Sequence, residues 1–291
     1  MLCLADLWRF KVEGTIQNLA FSSNGNLGVA SWDNCGYFLD PNGSLLSKVC
    51  GSDDMSNISY SNGRFGLVNW DEHVYLTDES GNLIKKIRVG EEYSNAIAMR
   101  PNGFVVCQNK CAFFDFNGNK LWDVEIGSTN INPLYYQGYW YVVDVGGWKL
   151  LIIKDGSIAK EIRLYGNPSN SAMCGKYLAI SYENTVHLYN LNDPKDPKRI
   201  SIFGPFRGPY SVAFSPKCKY IAVIDMWSNE LRIHDIKGSL ALKKKYNEDE
   251  NSFINSLSWW KRRVAVGFSN GKIYMHEVFG PKFTFGAGGG I

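Results

Sequence analysis

The chain has 291 residues, of which 45% are hydrophobic and 20% charged, with a formal net charge of +3. High apolar content at low net charge excludes global disorder, and no apolar run approaches the roughly 20 residues that a membrane-spanning helix needs. The balance of 31 basic against 28 acidic residues does not demand a nucleic-acid partner.

The first twelve residues carry neither a basic head nor a sustained apolar stretch, so no secretory signal is expected. Residues 7–12 read as a strand without a hairpin partner of its own. From Asn18 onward one unit recurs seven times. It opens with a small or polar residue (Asn18, Asn57, Ala96, Asn132, Asn170, Ser211, Ser256), followed by a short run that ends on a bulky side chain. A tight turn follows each opening run. Next comes a β-rich run: 27–30, 65–68, 104–107, 139–143, 177–180, 220–224 and 264–267. These runs are rich in Val, Ile and aromatics and bounded by turn residues, so they read as strands. A third strand then ends at a turn glycine. Gly43, Gly81, Gly118 and Gly156 recur at 38, 37 and 38 residues, and Gly238 follows two periods later. Asn190 to Asp193 fill the intervening turn without glycine. No window carries a sustained 3.6-residue stripe, so almost no helix is expected.

Four short antiparallel strands per period of about 40 residues are the signature of a propeller blade. The sequence therefore predicts an all-β, seven-bladed β-propeller over residues 1–279, with a Gly-rich tail at 280–291. Ring stacking buries both faces of every blade, which a lone four-stranded sheet leaves bare. Two segments compete for the fourth strand of the last blade. Trp8 lies ten residues before Asn18, as Trp122 lies ten before Asn132, and this spacing favours the N-terminal strand as the fastener. The rival is residues 280–285.

The third strands end in Leu39-Asp40, Thr77-Asp78, Phe114-Asp115, Lys154-Asp155, Tyr189-Asn190, His234-Asp235 and His276-Glu277. Residues 117–122 read Asn-Gly-Asn-Lys-Leu-Trp. In these features the chain resembles the WD-repeat and quinoprotein-like propeller superfamily, although the WD tryptophan and the Gly-His dipeptide are absent. The resemblance implies the fold only. Quinoprotein enzymes use a vicinal disulfide over their cofactor; no adjacent Cys pair exists here, so no quinone cofactor is expected.

The seven cysteines are odd in number and form no CxxC pair. They read as small buried residues in a reducing, cytoplasmic setting. Only Cys107 and Cys111, which flank a turn, are placed to face one another.

No nucleophile elbow or phosphate-cradling loop is present. His234-Asp235 and His276-Glu277 suggest dyads, but adjacent strand residues point to opposite faces, so packing between blades is the simpler reading. Propeller topology puts the openings of the first strands and the loops between second and third strands on one face. Asn18, Asn57, Asn132 and Asn170 with Ser211 and Ser256 should line the channel mouth there, ringed by Trp32, Trp70, Trp148, Tyr182 and Trp227. Amides supply donors and acceptors, and aromatics supply rigid contact area. Such a rim suits a peptide or a sugar. A metal-dependent hydrolytic site would need carboxylates, for which Glu13, Asp53 and Glu91 are the candidates. On the opposite face, Lys217, Lys219, Lys261, Arg262 and Arg263 should form a basic sector able to attract nucleic acid or an acidic partner. The expectation is a monomeric, non-catalytic interaction scaffold for a protein or peptide, without cofactor or metal. A ligand-binding or hydrolytic mouth and a nucleic-acid contact are the alternatives.

Overall fold

Apolar residues on both sides of a strand require neighbours on both sides of its sheet. In the first repeat, Leu27–Ser31 and Cys35–Leu39 are buried at every position, whereas the outer strand Leu45–Cys50 is largely exposed. The computed structural model, which describes residues 2–127, 132–249 and 251–280, shows how this is met. Among the described residues, 28 strands form seven four-stranded antiparallel sheets arranged as the blades of a propeller. Among the same residues helix is confined to two 3-10 turns, Glu91–Tyr93 and Met226–Ser228.

The core is not central. Seven apolar clusters occupy the seven junctions between successive blades. Glycine allows the closest approach between blades: a Cβ on Gly66 in blade two would collide with Met99 of blade three. The recurrent turn aspartates have a local task. The carboxylates of Asp40, Asp78, Asp115 and Asp235 each accept the backbone N–H groups two and four residues ahead, at 2.8–3.0 Å. The glycine inside each turn has φ between 84° and 98°, which explains the residue choice.

The ring is closed by the N-terminal strand. Cys3–Lys11 pairs antiparallel with Lys272–Phe279, from Cys3 opposite Phe279 to Lys11 opposite Lys272. It begins four residues earlier than the sequence suggested and shifts register between Asp6 and Trp8. Trp8 and Trp122 do the same work in their blades. A Cβ on the turn glycine of the next blade, Gly43 or Gly156, would lie 2.7 Å from the respective tryptophan. Of the rival segment 280–285 and the tail 280–291, everything past Gly280 lies outside the described residues.

The cysteine reading is corrected. Cys35–Cys50, Cys107–Cys111 and Cys174–Cys218 are disulfides, and Cys3 is a free, exposed thiol. The first two bridge residues directly opposite one another on paired strands, and the third joins blades five and six. Three disulfides fit an oxidising environment rather than the cytoplasm. No helix among the described residues is long and apolar enough to cross a membrane.

His187, His234 and His276 pack in blade junctions and are 7%, 7% and 0% exposed. Burial, with Arg199 adding repulsion at His187 and Lys244 at His276, pushes both of these imidazoles down to about 4. The unfolded chain therefore binds more protons between about pH 6.5 and pH 4. The stability these neutral imidazoles give is full above that window and is lost as pH falls through it. At 1.36 kcal/mol per unit, each contributes up to about 3 kcal/mol. We expect the melting temperature to drop between pH 6.5 and 4, and His187→Phe to flatten part of the drop. A melting temperature constant across that window would contradict the assignment.

Candidate functional site at the channel mouth

The channel wall is built from the innermost strands Ile16–Phe21, Met55–Ser61, Ala96–Arg100, Leu134–Tyr136, Pro168–Cys174, Pro209–Phe214 and Ile254–Trp260. In five of them the pairing slips by one residue at the start, between Ile16 and Asn18, Met55 and Asn57, Pro168 and Asn170, Pro209 and Ser211, and Ile254 and Ser256. Each slip is a bulge, which leaves one residue unpaired and re-aims its side chain. The extra residues are Gln17, Ser56, Ser169, Tyr210 and Asn255, each just ahead of the repeat opener.

Three of these extra residues staple their blade to the next. Ser56 Oγ donates to Ser94 O (3.1 Å), Ser169 Oγ to Pro209 O (2.7 Å) and Asn255 Nδ2 to Ile16 O (2.7 Å). Every acceptor lies two residues before the opener of the following blade. The openers link among themselves. Asn18 Nδ2 donates to Asn57 Oδ1 (2.7 Å), and Asn57 Nδ2 donates to Asn132 Oδ1 (2.6 Å). The second link spans blade three, whose opener, Ala96, has no amide to contribute. Asn170 lines the same channel in blade five.

The channel encloses a cavity of about 730 Å³. Among the described residues, no Asp, Glu, Lys, Arg or His lines it. Its walls are amides, hydroxyls, a few aliphatic side chains and aromatics. Phe21 and Trp260 stack at 6.0 Å at the far end. At the mouth, Trp32 and Trp70 are 45% and 43% exposed, and their rings touch at 5.9 Å and 48°. Tyr210 and Phe253 join them at the mouth, half exposed.

The tryptophan loops are held from behind. In blade two the Asp71 carboxylate accepts the Tyr75 hydroxyl (2.6 Å) and the Lys86 ammonium (3.0 Å). Burial alone would raise the Asp71 carboxyl, but bonds from Tyr75, Lys86 and the Ser52 backbone outweigh it and hold it at about 2. Blade one repeats the arrangement with Asp33 and Tyr37, and Lys48 lies over the Tyr37 ring at 4.8 Å.

Not every expected rim residue reaches the mouth. Tyr182 is 3% exposed and shares a hydrogen bond with Tyr189 inside a blade junction (3.1 Å). It pairs with Pro168, the register that Ser31 holds opposite Ile16 in blade one. Tyr182 is thus one residue short of the position of Trp32, and a shift of one reverses the face. Trp148 and Trp227 are exposed but do not line the channel. Trp227 instead lies over Gly208, where a Cβ would collide with it. Glu13, Asp53 and Glu91 do not line the channel either. Among the described residues no group of three or more His, Cys, Asp or Glu side chains could hold a metal ion.

The basic sector is partly committed to internal contacts. Arg262 pairs with Glu277 (2.8 Å), Arg263 donates to Pro41 O, and Lys261 lies over the Trp260 ring at 4.4 Å. Lys217 and Lys219 are exposed.

Sequence reasoning missed Tyr210, Phe253 and the bulge residues. Pairing register reveals the bulge residues, Tyr210 among them, each directly ahead of an opener, and the channel lining reveals Phe253. It also missed the pin behind the tryptophans. That signal was present as Trp-Asp followed by Tyr four residues after the Asp, at Trp32 to Tyr37 and again at Trp70 to Tyr75.

The fold and site define a seven-bladed β-propeller with an aromatic-rimmed channel whose described lining residues carry no charge. No protein-family model matches the chain, and no curated protein matches it in sequence.

Proposed function

We propose that this propeller is a non-catalytic interaction module that engages its partner through the channel mouth. One observation carries the reading: an exposed, touching tryptophan pair sits over a channel with no charged lining residue among the described residues. Exposed aromatics clustered on a rigid frame are typical anchors of binding surfaces. General acid–base or metal chemistry at neutral pH draws mostly on His, carboxylate or Lys groups within reach of a bound molecule, and among the described residues the channel lining holds none of these, only the phenols of Tyr60 and Tyr210. Membership of the WD-type or quinoprotein-like propellers is supported by the Asp-ended turns and by Trp8 and Trp122. The partner expected for such a scaffold is another protein or a group displayed on one.

The test is Trp32→Ala with Trp70→Ala. Both side chains are about half exposed, so the double change should destabilise the fold by less than about 1.5 kcal/mol. Binding should fall steeply, because anchor aromatics each carry about 2 kcal/mol or more. Affinity capture with wild type and variant, read by mass spectrometry, checks this. A variant that captures the same molecules equally well overturns the reading.

A further inference from the structure

Resting on that reading, we infer that the group entering the channel is a neutral saccharide. The argument starts from charge. An anionic or cationic ligand gains most from charged partners, and among the described residues the lining of this 730 Å³ cavity holds no charged side chain. The volume falls inside the roughly 300–1,000 Å³ range of small-ligand sites.

The polar chemistry narrows the class. An amide carries two N–H donors and two acceptor lone pairs, and a hydroxyl carries one donor and two acceptor lone pairs. The Asn18–Asn57–Asn132 chain uses one donor of Asn18 and one of Asn57. Gln17, Asn170 and Ser211 add further groups that both give and accept. Sugar hydroxyls likewise donate and accept, so such a wall meets them without a charge or a fixed tautomer.

The rim supplies the complementary half. Pyranose rings present a face of C–H bonds with slight positive character, and aromatic faces are negative. Trp32 and Trp70 offer two faces inclined at 48° beside the amides, and Tyr210 adds a third ring. The asparagine links and the loop pins fix these groups before binding, which lowers the ordering cost of association. An uncharged peptide segment is the competing occupant. It offers one donor and one acceptor per residue along an extended line, whereas a saccharide presents several hydroxyls around one ring, each of which both donates and accepts.

The experiment presents the whole protein to immobilised neutral hexoses, N-acetylhexosamines and their short oligomers, with sialylated and sulfated counterparts alongside. Hits are then titrated by calorimetry. At least one neutral saccharide should bind more tightly than about 1 mM. Affinity should change less than about twofold between low and high salt, since no ion is released from an uncharged site. Trp32→Ala with Trp70→Ala should weaken binding at least tenfold, whereas Trp148→Ala, outside the channel, should not. Absence of any neutral hit overturns the inference, as does binding restricted to the anionic sugars. So does enrichment of uncharged peptides from a displayed library by wild type but not by the double variant, with the saccharides unbound. In each of these cases loss of capture by the double variant would still uphold the interaction-module reading, so the two failures are distinguishable.

Discussion

A chain lacking residues 1–13 is expected to aggregate, or to melt far below the intact protein. The N-terminal strand is the fourth strand of the seventh blade, and deleting it bares the edge of Lys272–Phe279. That edge strand is apolar, with Ile273, Met275 and Val278 fully or almost fully buried. Unpaired edges of this kind recruit other chains. The deletion also takes Leu2 and Val12 from their clusters and strips Trp8 and Phe10 from the junction between blades seven and one. It removes the hydrogen bonds from Trp8 Nε1 to Pro41 O and from Val12 N to Gly271 O, both at 3.0 Å. At about 1.5–3 kcal/mol for each buried apolar side chain, the loss is on the order of 6 kcal/mol or more. That is a large part of the roughly 5–15 kcal/mol by which a domain is stable. A drop of well over 10 °C follows at roughly 2–4 °C per kcal/mol. Deleting residues 281–291 is the matched control and should leave melting within a degree or two. The opposite pattern, a silent N-terminal deletion and a damaging C-terminal one, would assign the fastening to the other end.

What the sequence made legible was whatever repeats at fixed spacing. The turn aspartates and glycines recur because the same five-residue turn is capped in blades one, two, three and six, and Trp8 matched Trp122 because both cover a turn glycine of the following blade. The openers Asn18, Asn57 and Asn132 stood out for the same reason. What stayed hidden depends on register to a single residue. Tyr182 was grouped with Trp32, yet the bulges at Asn18 and Asn170 fix the count and put Tyr182 opposite Pro168, facing a junction. The bulge residues were invisible for the same reason, since a slip leaves no mark in composition. Cys35 and Cys50 are 15 residues apart and become neighbours only once the third and fourth strands of the blade are paired. Cys174 and Cys218 are 44 apart, close to one repeat; Cys174 ends an innermost strand and Cys218 lies in the turn at the same end of the next blade. An odd total of seven concealed this pairing, because Cys3 is the one left over among the described residues.

Reduction is the second large perturbation. A reducing agent that reaches the three disulfides should lower the melting temperature markedly. The contribution comes mostly from the unfolded chain, whose freedom each cross-link restricts. With loops of 4, 15 and 44 residues, the chain-entropy relation gives about 2, 3 and 4 kcal/mol. Cys174–Cys218 should dominate, since it also ties blades five and six together at their turns, beside the junction cluster that partly buries both cysteines. Replacing this pair with serine should therefore cost more than replacing Cys107 and Cys111, and reducing agent should act less on the first variant than on wild type. The Cys35–Cys50 bridge has a local consequence as well. It anchors the strand start at Cys35, directly after the loop that carries Trp32 and Asp33, where Gly51 N also donates to Asn34 O at 2.9 Å. Its removal should loosen the tryptophan pair and weaken binding at the mouth, while the Cys174–Cys218 variant, on the opposite face, should lose stability with binding intact at low temperature. Mass spectrometry of the alkylated, unreduced protein supplies the direct check, with one modified cysteine expected. Seven modified cysteines, together with a melting temperature indifferent to reductant, would restore the reduced reading of the chain.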